Sequence, residues 1–144
     1  MNKMYAVIRI RGLVGIKKDI KDTLAMLRLH RKMHCVLLKE TDSIKGMLQK
    51  VKDYVTWGEI EDEILKQLIK KRARKIGNKR LSEVEVEEVF KKVKEIEKIP
   101  KEIKPIFRLT PPSKGFKKSI KQHYPKGELG YRGKAINELI KRMI

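Results

Sequence analysis

The sequence has 144 residues, enough for one compact domain, and 40% of them are hydrophobic, enough for a core. Its net charge is +19, with 37 Lys and Arg against 18 Asp and Glu. This imbalance costs self-repulsion in a compact chain and favours a polyanionic partner, nucleic acid before an anionic membrane. No apolar run reaches the ~18 residues of a membrane-spanning helix. Arg9 and Arg11 break the N-terminal apolar stretch that a signal peptide would need, and the lone Cys35 cannot form an internal disulfide, so we expect a cytoplasmic protein with no membrane partner.

The first predicted element is a strand over residues 4–11. Its side chains alternate, with Ala6, Ile8 and Ile10 on one face and residues 5, 7, 9 and 11 on the other. The pattern predicts one core face and one partly basic face. Two glycines and the pair Lys17-Lys18 follow, which suits either a phosphate at a helix start or an ordinary turn with solvated lysines.

The next elements complete a β-α-β-α-β pattern. Apolar residues recur at helical spacing over residues 17–29, and the apolar run of residues 35–38 indicates a strand buried on at least one face, predicted over residues 35–39. Thr41, Asp42 and Ser43 offer side-chain oxygens to the free N–H groups of a second helix, predicted over residues 42–52. A third strand is predicted over residues 54–57.

A family resemblance runs through residues 23–55. It rests on Thr23-Leu24, Leu27, Leu29, Arg31, His34, Val36, Met47-Leu48, Val51 and Tyr54-Val55. Their spacing resembles the signature of the L-thirty family of large-subunit ribosomal proteins. VTWGEI and the ending FRLTPPSKGFK…KGELGYRGKAINELIKRMI resemble its long archaeal form. The resemblance implies an α+β, ferredoxin-like-related core in which one helix pair covers one face of a small, largely antiparallel sheet.

Composition changes after this core. Residues 59–103 hold 13 basic and 11 acidic residues, whereas residues 1–58 hold 13 and 5, and residues 104–144 hold 11 and 2. The middle segment contains two amphipathic helices, the second opened by a capping box at Ser82 and Glu85. The first ends in KKRARK, which suits equally an RNA-binding helix end or solvated basic residues. We therefore divide the chain into an L-thirty-like core (1–58), a helical insert packed on it (59–103) and a basic C-terminal extension (104–144), all within a single domain.

The extension is predicted to contact RNA. After a possible strand over residues 106–109, glycine, lysine and a few aromatics interleave without a period, a composition that is unlikely to bury itself. A floppy basic linker is the alternative. The last residues form an amphipathic helix, with apolar positions at Ile136, Leu139, Ile140 and Met143, which should return to the core.

Catalysis finds no support in the sequence. His30, His34 and Cys35 lie close together, but no further ligand completes a tetrahedral metal set. No nucleotide-binding fingerprint or nucleophile–base pair is present. We expect no enzyme activity, no metal, no cofactor and no small-molecule substrate.

The sequence thus predicts a structural constituent of the archaeal large ribosomal subunit that stabilises folded ribosomal RNA (rRNA) through basic residues. Neighbouring ribosomal proteins and 5S RNA are possible further partners. A free nucleic-acid-binding regulator or RNA chaperone is the alternative function. The candidate RNA-binding residues are Arg9, Arg11, Lys17, Lys18, Arg28, Arg31, Lys32, Lys45, Lys114, Lys117, Lys118, Lys126, Arg132 and Lys134.

Overall fold

A computed structural model describes residues 4–12, 15–75, 79–96, 104, 106–112, 115–116 and 119–144. The elements in chain order are β1 (Met4–Arg9), α1 (Lys18–Met26), β2 (His34–Lys39), α2 (Asp42–Lys50), β3 (Val55–Glu59), α3 (Asp62–Arg72), α4 (Glu83–Ile96), β4 (Phe107–Arg108), β5 (Ser119–His123), β6 (Gly127–Tyr131), a 3₁₀ turn (Gly133–Ala135) and α5 (Ile136–Met143). The strands form one open sheet in the order β4-β2-β1-β3-β6-β5. β1, β2, β3 and β4 pair antiparallel, and β6 joins β3 in parallel. The predicted α+β fold with a largely antiparallel sheet is confirmed.

Both faces of this sheet are covered. One apolar cluster joins Tyr5 and Val7 of β1 to buried residues of α1 and α2, and includes Trp57 of β3. The other joins Ala6 and Ile8 to α3, α4 and α5. The face with Ala6 and Ile8 is core, as expected, but the interpretation of the other face as partly basic was wrong, because α1 and α2 bury it at Tyr5 and Val7.

Local signals placed several helix starts correctly. The Thr41 hydroxyl accepts a hydrogen bond from the Ile44 N–H at 3.2 Å, which caps α2. At α4 the Ser82 N–H donates to Glu85 and the Glu85 N–H donates to the Ser82 hydroxyl, both at 3.3 Å, as a capping box requires. Helix α1 ends three residues earlier than expected, at Met26. The predicted helix stops at residues 77–78 and 100 lie outside the described residues.

The glycine-rich part of the extension is more ordered than its composition indicated. Residues 127–131 form β6, and residues 127–130 are buried. Gly58 of β3 lies so close to the turn after β6 that an added Cβ would sit 1.9 Å from the Gly133 carbonyl oxygen. The expectation that this stretch is unlikely to bury itself was wrong, because the missing side chain at Gly58 lets the backbone at Gly133 pack directly against β3.

Helix α5 returns to the core, as predicted: Ile136, Leu139, Ile140 and Met143 are all buried. The boundaries drawn between core, insert and extension stay a prediction. Among the helices of the described residues, none is both long and apolar enough to cross a membrane.

Candidate nucleic-acid interface

Several loops meet at one end of the sheet, where β1 ends and β2 and β3 begin. Ile8 pairs with Cys35 across β1 and β2, and Arg9 pairs with Val55 across β1 and β3. β4 brings Arg108 opposite His34 at the same end. The loops leaving this end carry exposed or half-buried cations, and we call the set the basic end. Its members are Arg11, Arg28, Arg31, Lys32, Arg108 and Lys126.

The α1–β2 turn presents three of these cations. Arg28 and Met33 adopt left-handed backbone conformations, with φ of 64° and 66°. The chain reverses between them, and Arg28, Arg31 and Lys32 are exposed on this reversal. The Met33 N–H donates to the Arg9 carbonyl at 2.7 Å, which ties the turn to the end of β1.

Arg9 stabilises this turn from the protein interior. Its side chain is 1% exposed. Its Nη1 donates to the Leu29 carbonyl at 2.8 Å and its Nε donates to the Arg11 carbonyl at 2.9 Å. Burial lowers the pKa of the Arg9 guanidinium. Arg9 was predicted to bind RNA, but the structure places it in the interior, where it supports the loops that carry exposed cations.

The pKa of His34 reflects the positive charge of the basic end. Its pKa is lowered, first by burial and then by the charges of Arg108, Arg31, His30 and Arg9. Its Nδ1 is buried and has no hydrogen-bond partner among the described residues. Four basic side chains therefore act together to lower the pKa of one imidazole. Neither Arg108 nor His34 was among the predicted site residues, because their position beside this turn depends on β4 pairing with β2.

The other side of the basic end is formed by the loops before β3 and β6. The Arg11 guanidinium lies over the Tyr54 ring, 5.3 Å from its centroid. His123 Nε2 lies 2.8 Å from Asp53 Oδ1, so the β5–β6 turn is held against the α2–β3 loop. Lys126 is exposed on that turn. The structure thus brings Lys126, from the extension, to the same end as Arg11, from the core.

Lys17 and Lys18 lie at the start of α1, and both are exposed. Lys17 has N-cap geometry without a side-chain cap, and Lys18 is the first helical residue. Asp19 lies 3.8 Å from Lys50 at the end of α2, which places this helix start near the loop into β3. The two lysines therefore flank the basic end.

Two predicted residues lie at the opposite end of the sheet. Lys45 pairs with Glu40 at 3.1 Å, next to the opposite end of β2. Lys134 is exposed on the 3₁₀ turn that follows β6, also at the opposite end.

Arg132 is buried. It donates to Glu128 Oε2 at 2.8 Å and to the Thr56 hydroxyl at 2.8 Å, which links β6 to β3. Its predicted role in RNA contact therefore disagrees with its position. Lys114, Lys117 and Lys118 lie outside the described residues.

A metal site is not formed by the described residues, since no three His, Cys, Asp or Glu side chains among them cluster suitably. Cys35 is buried, and burial raises the pKa of its thiol to about 12. The described part of the chain therefore offers a cationic surface rather than a reactive centre.

An α+β sheet with cations gathered at one end defines a class of strongly basic proteins, and the comparisons specify the family. The family model for ribosomal protein L30p/L7e matches residues 5–55. Large ribosomal subunit protein uL30 of Nanoarchaeum equitans is 48% identical, covering 98% of this chain and 99% of that protein. The same protein of Archaeoglobus fulgidus is 46% identical over 97% of this chain and 99% of its own. That of Staphylothermus marinus is 46% identical over the full length of both.

The chain belongs to the uL30 family of large ribosomal subunit proteins. This confirms the family resemblance and its long archaeal form. Members of this family are structural proteins of the cytoplasmic ribosome and not enzymes, as the sequence predicted.

Proposed function

We propose that this chain binds folded rRNA in the large subunit through the basic end, and that Lys17 and Lys18 extend the contact. The observation that carries this is the gathering of cations from separate segments at one end of the sheet. Within the described part of the chain, no ion pair engages Arg28, Arg31 or Lys32. Like charges held together without carboxylates cost free energy that a phosphate backbone relieves.

The contact stabilises RNA by neutralising charge and matching shape, without chemistry. Arg9 and Arg132 are left out of the contact surface because they are buried. Lys45 and Lys134, at the opposite end, and Lys114, Lys117 and Lys118 remain predicted contacts. Neighbouring ribosomal proteins and 5S RNA are further partners within this proposal, which crosslinking of intact subunits followed by mass spectrometry would identify.

Salt dependence tests the phosphate contacts. Neutralising about 6–10 phosphates weakens binding roughly 10³–10⁵-fold between 50 and 200 mM salt, with a slope of about 0.7–0.9 per phosphate. Reversing two charges, in Arg31→Glu with Lys32→Glu, should make the slope of log affinity against log salt shallower by about 1.5. The matched control is Lys70→Glu with Lys91→Glu, on exposed positions of α3 and α4.

Deproteinised large-subunit rRNA from the organism encoding the chain is the ligand for this measurement. If both double variants change the slope equally, net charge rather than the basic end governs binding, and the proposed surface is wrong. A salt-independent affinity of the unaltered protein would rule out phosphate neutralisation altogether.

The second candidate is a free regulator or RNA chaperone, which the net charge of +19 also suits. Sedimentation of a lysate through a high-salt sucrose gradient, with quantitative mass spectrometry of each fraction, separates the two. One copy per large subunit supports the ribosomal role. Recovery mainly at the top of the gradient supports the free binder.

A further inference from the structure

A cleft beside the basic end is lined almost entirely by cations. It encloses about 260 Å³ between the end of α3 and the edge strand β4. Five of the described residues line it, four of them basic and none acidic; they are Arg72, Arg74, Lys104, Ile106 and Arg108. We call it the arginine cleft. Because Arg108 also belongs to the basic end, the two surfaces are continuous.

Backbone contacts hold the lining residues in place. Helix α3 ends at Arg72, and the buried Ala73 turns the chain out of the helix. Arg74 then bridges to Arg80, and its carbonyl accepts a hydrogen bond from the Lys104 N–H at 2.9 Å. Arg108 is held by the pairing of β4 with β2. Three separate segments thus place their cations around one space before any ligand arrives, which lowers the entropy cost of binding.

In the described ranges, no ion pair joins Arg72, Arg74 or Arg108 to a carboxylate. The Nε of Arg72 is buried and has no hydrogen-bond partner among the described residues, while its Nη2 reaches the Thr110 hydroxyl only at 3.5 Å. A buried N–H donor without an acceptor is unfavourable, and an anion in the cleft would remove that cost.

The chemistry of these groups selects the ligand. A guanidinium donates through a planar fork that matches two oxygens of a phosphate, and several cations favour the group with the most negative charge and the most acceptor oxygens. We propose that the arginine cleft binds one phosphate group, and that in the ribosome this is a backbone phosphate of rRNA. The first half, binding of a phosphate group, is supported by the cleft alone. The second half, the identity of that group as an rRNA phosphate, rests on the function proposed above.

Inorganic phosphate tests the first half. Titration into the full-length protein, followed by NMR of the arginine Nε–H groups at constant ionic strength, should give a saturable shift of the Arg72 signal. The Arg72→Gln, Arg74→Gln double variant should lose the saturable response of the remaining cleft residue Arg108. The matched control, Lys70→Gln with Lys71→Gln, removes the same charge from exposed positions on the same helix and should keep it.

The single variant Arg74→Gln covers the case in which the double variant unfolds. Among the described residues, the Arg74 Nη1 donates to the nearby carbonyls of Lys71 and Ala73, so its loss leaves the strand and helix contacts in place. It should weaken phosphate binding at least several-fold. An unsaturable response of the unaltered protein, or equal responses of cleft and control variants, would overturn the proposal.

Salt dependence of rRNA binding tests the second half. Relative to the lysine control, the cleft variant should show a slope shallower by the ~0.7–0.9 expected for one phosphate contact. Saturable phosphate binding together with equal slopes would overturn the assignment to RNA and leave free phosphate as the ligand. If the unaltered chain binds no rRNA, the proposed function fails and the second half with it, whereas the phosphate titration still decides the first.

Discussion

Arg9 and Arg11 lie two residues apart at the end of β1, and substituting each by methionine should damage different properties. Arg9 is buried and donates to the carbonyls of Leu29 and Arg11. Arg11 is half-buried, lies over the Tyr54 ring and reaches the Asp53 carbonyl at 3.4 Å. We expect Arg9→Met to reduce stability and Arg11→Met to reduce RNA binding.

The magnitude for Arg9 follows from the two carbonyls that lose their donor. Each buried acceptor left without a partner costs about 1–3 kcal/mol. Methionine keeps much of the buried volume. Removing a buried charge whose Nη2 has no hydrogen-bond partner among the described residues offsets part of the lost free energy of unfolding. The expected net loss in the free energy of unfolding is therefore about 2–4 kcal/mol. At roughly 3–4 °C per kcal/mol for a domain of this size, the midpoint of thermal unfolding should fall by about 10 °C.

Arg11→Met should reduce stability less than Arg9→Met does, and should reduce RNA binding more. An exposed cation–π contact contributes about 0.5–1 kcal/mol, so thermal unfolding should shift by only a few degrees. The slope of log affinity against log salt should become shallower by the ~0.7–0.9 of one phosphate contact.

Urea unfolding followed by circular dichroism, and rRNA binding measured at several salt concentrations, supply the two assays. Binding by Arg9→Met is measured well below its unfolding midpoint, so that only folded protein is compared. If Arg9→Met unfolds at the same urea concentration as the unaltered protein and has a shallower salt slope, Arg9 contacts RNA and the reasoning from its burial is refuted.

Three further predictions concern stability and reactivity. Gly58→Ala should destabilise the protein by more than the roughly 1–3 kcal/mol usual for overpacking, because the new Cβ would meet the Gly133 backbone. Gly46→Ala, whose Cβ would have nothing within 4 Å, should instead stabilise α2 by roughly 0.5–1 kcal/mol. Changes of equal sign in the free energy of urea unfolding would contradict this pair of predictions. The pKa of His34 is lowered from 6.5 in the folded protein, so on acidification the unfolded chain binds a proton at this residue before the folded protein does. The free energy of unfolding should therefore fall as pH drops below 6.5. His34→Gln should flatten that fall, and an unchanged pH profile would count against the lowered pKa. The buried Cys35 thiol, with a pKa of about 12, should react with a thiol reagent at about pH 8 only after unfolding; rapid reaction of the folded protein would disprove its burial.

The two covered sheet faces show why function concentrates at the ends of the strands. Helices α1 and α2 cover one face, and α3, α4 and α5 cover the other. A sheet buried on both sides leaves strand ends and loops for contact with a partner. The basic end is such a place, because β1, β2, β3 and β4 all contribute a terminus to it.

Features that depend on neighbouring residues were predicted correctly from the sequence. The caps at Thr41 and Ser82 and the apolar stripe of α5 are local patterns, and each lies where the pattern placed it. The net charge and the family signature, which are properties of the chain itself, likewise predicted a ribosomal protein. Local hydrogen bonds and helix periodicity act within a few residues, so the chain order alone reveals them.

Features that depend on distant segments required the tertiary structure. Arg9 alternates like a surface residue, yet it is buried, where its Nη1 donates a hydrogen bond to the carbonyl of Leu29, 20 residues away. The glycine-rich stretch around β6 looks like a flexible linker, yet it packs on the core, because the missing side chain at Gly58 of β3 lets the Gly133 backbone approach. Arg72 and Arg108 are far apart in sequence and line one cleft only because β4 joins the edge of β2. The sequence by itself determined the family, the charge and the local elements, whereas only tertiary packing decided which cations are buried and which remain exposed.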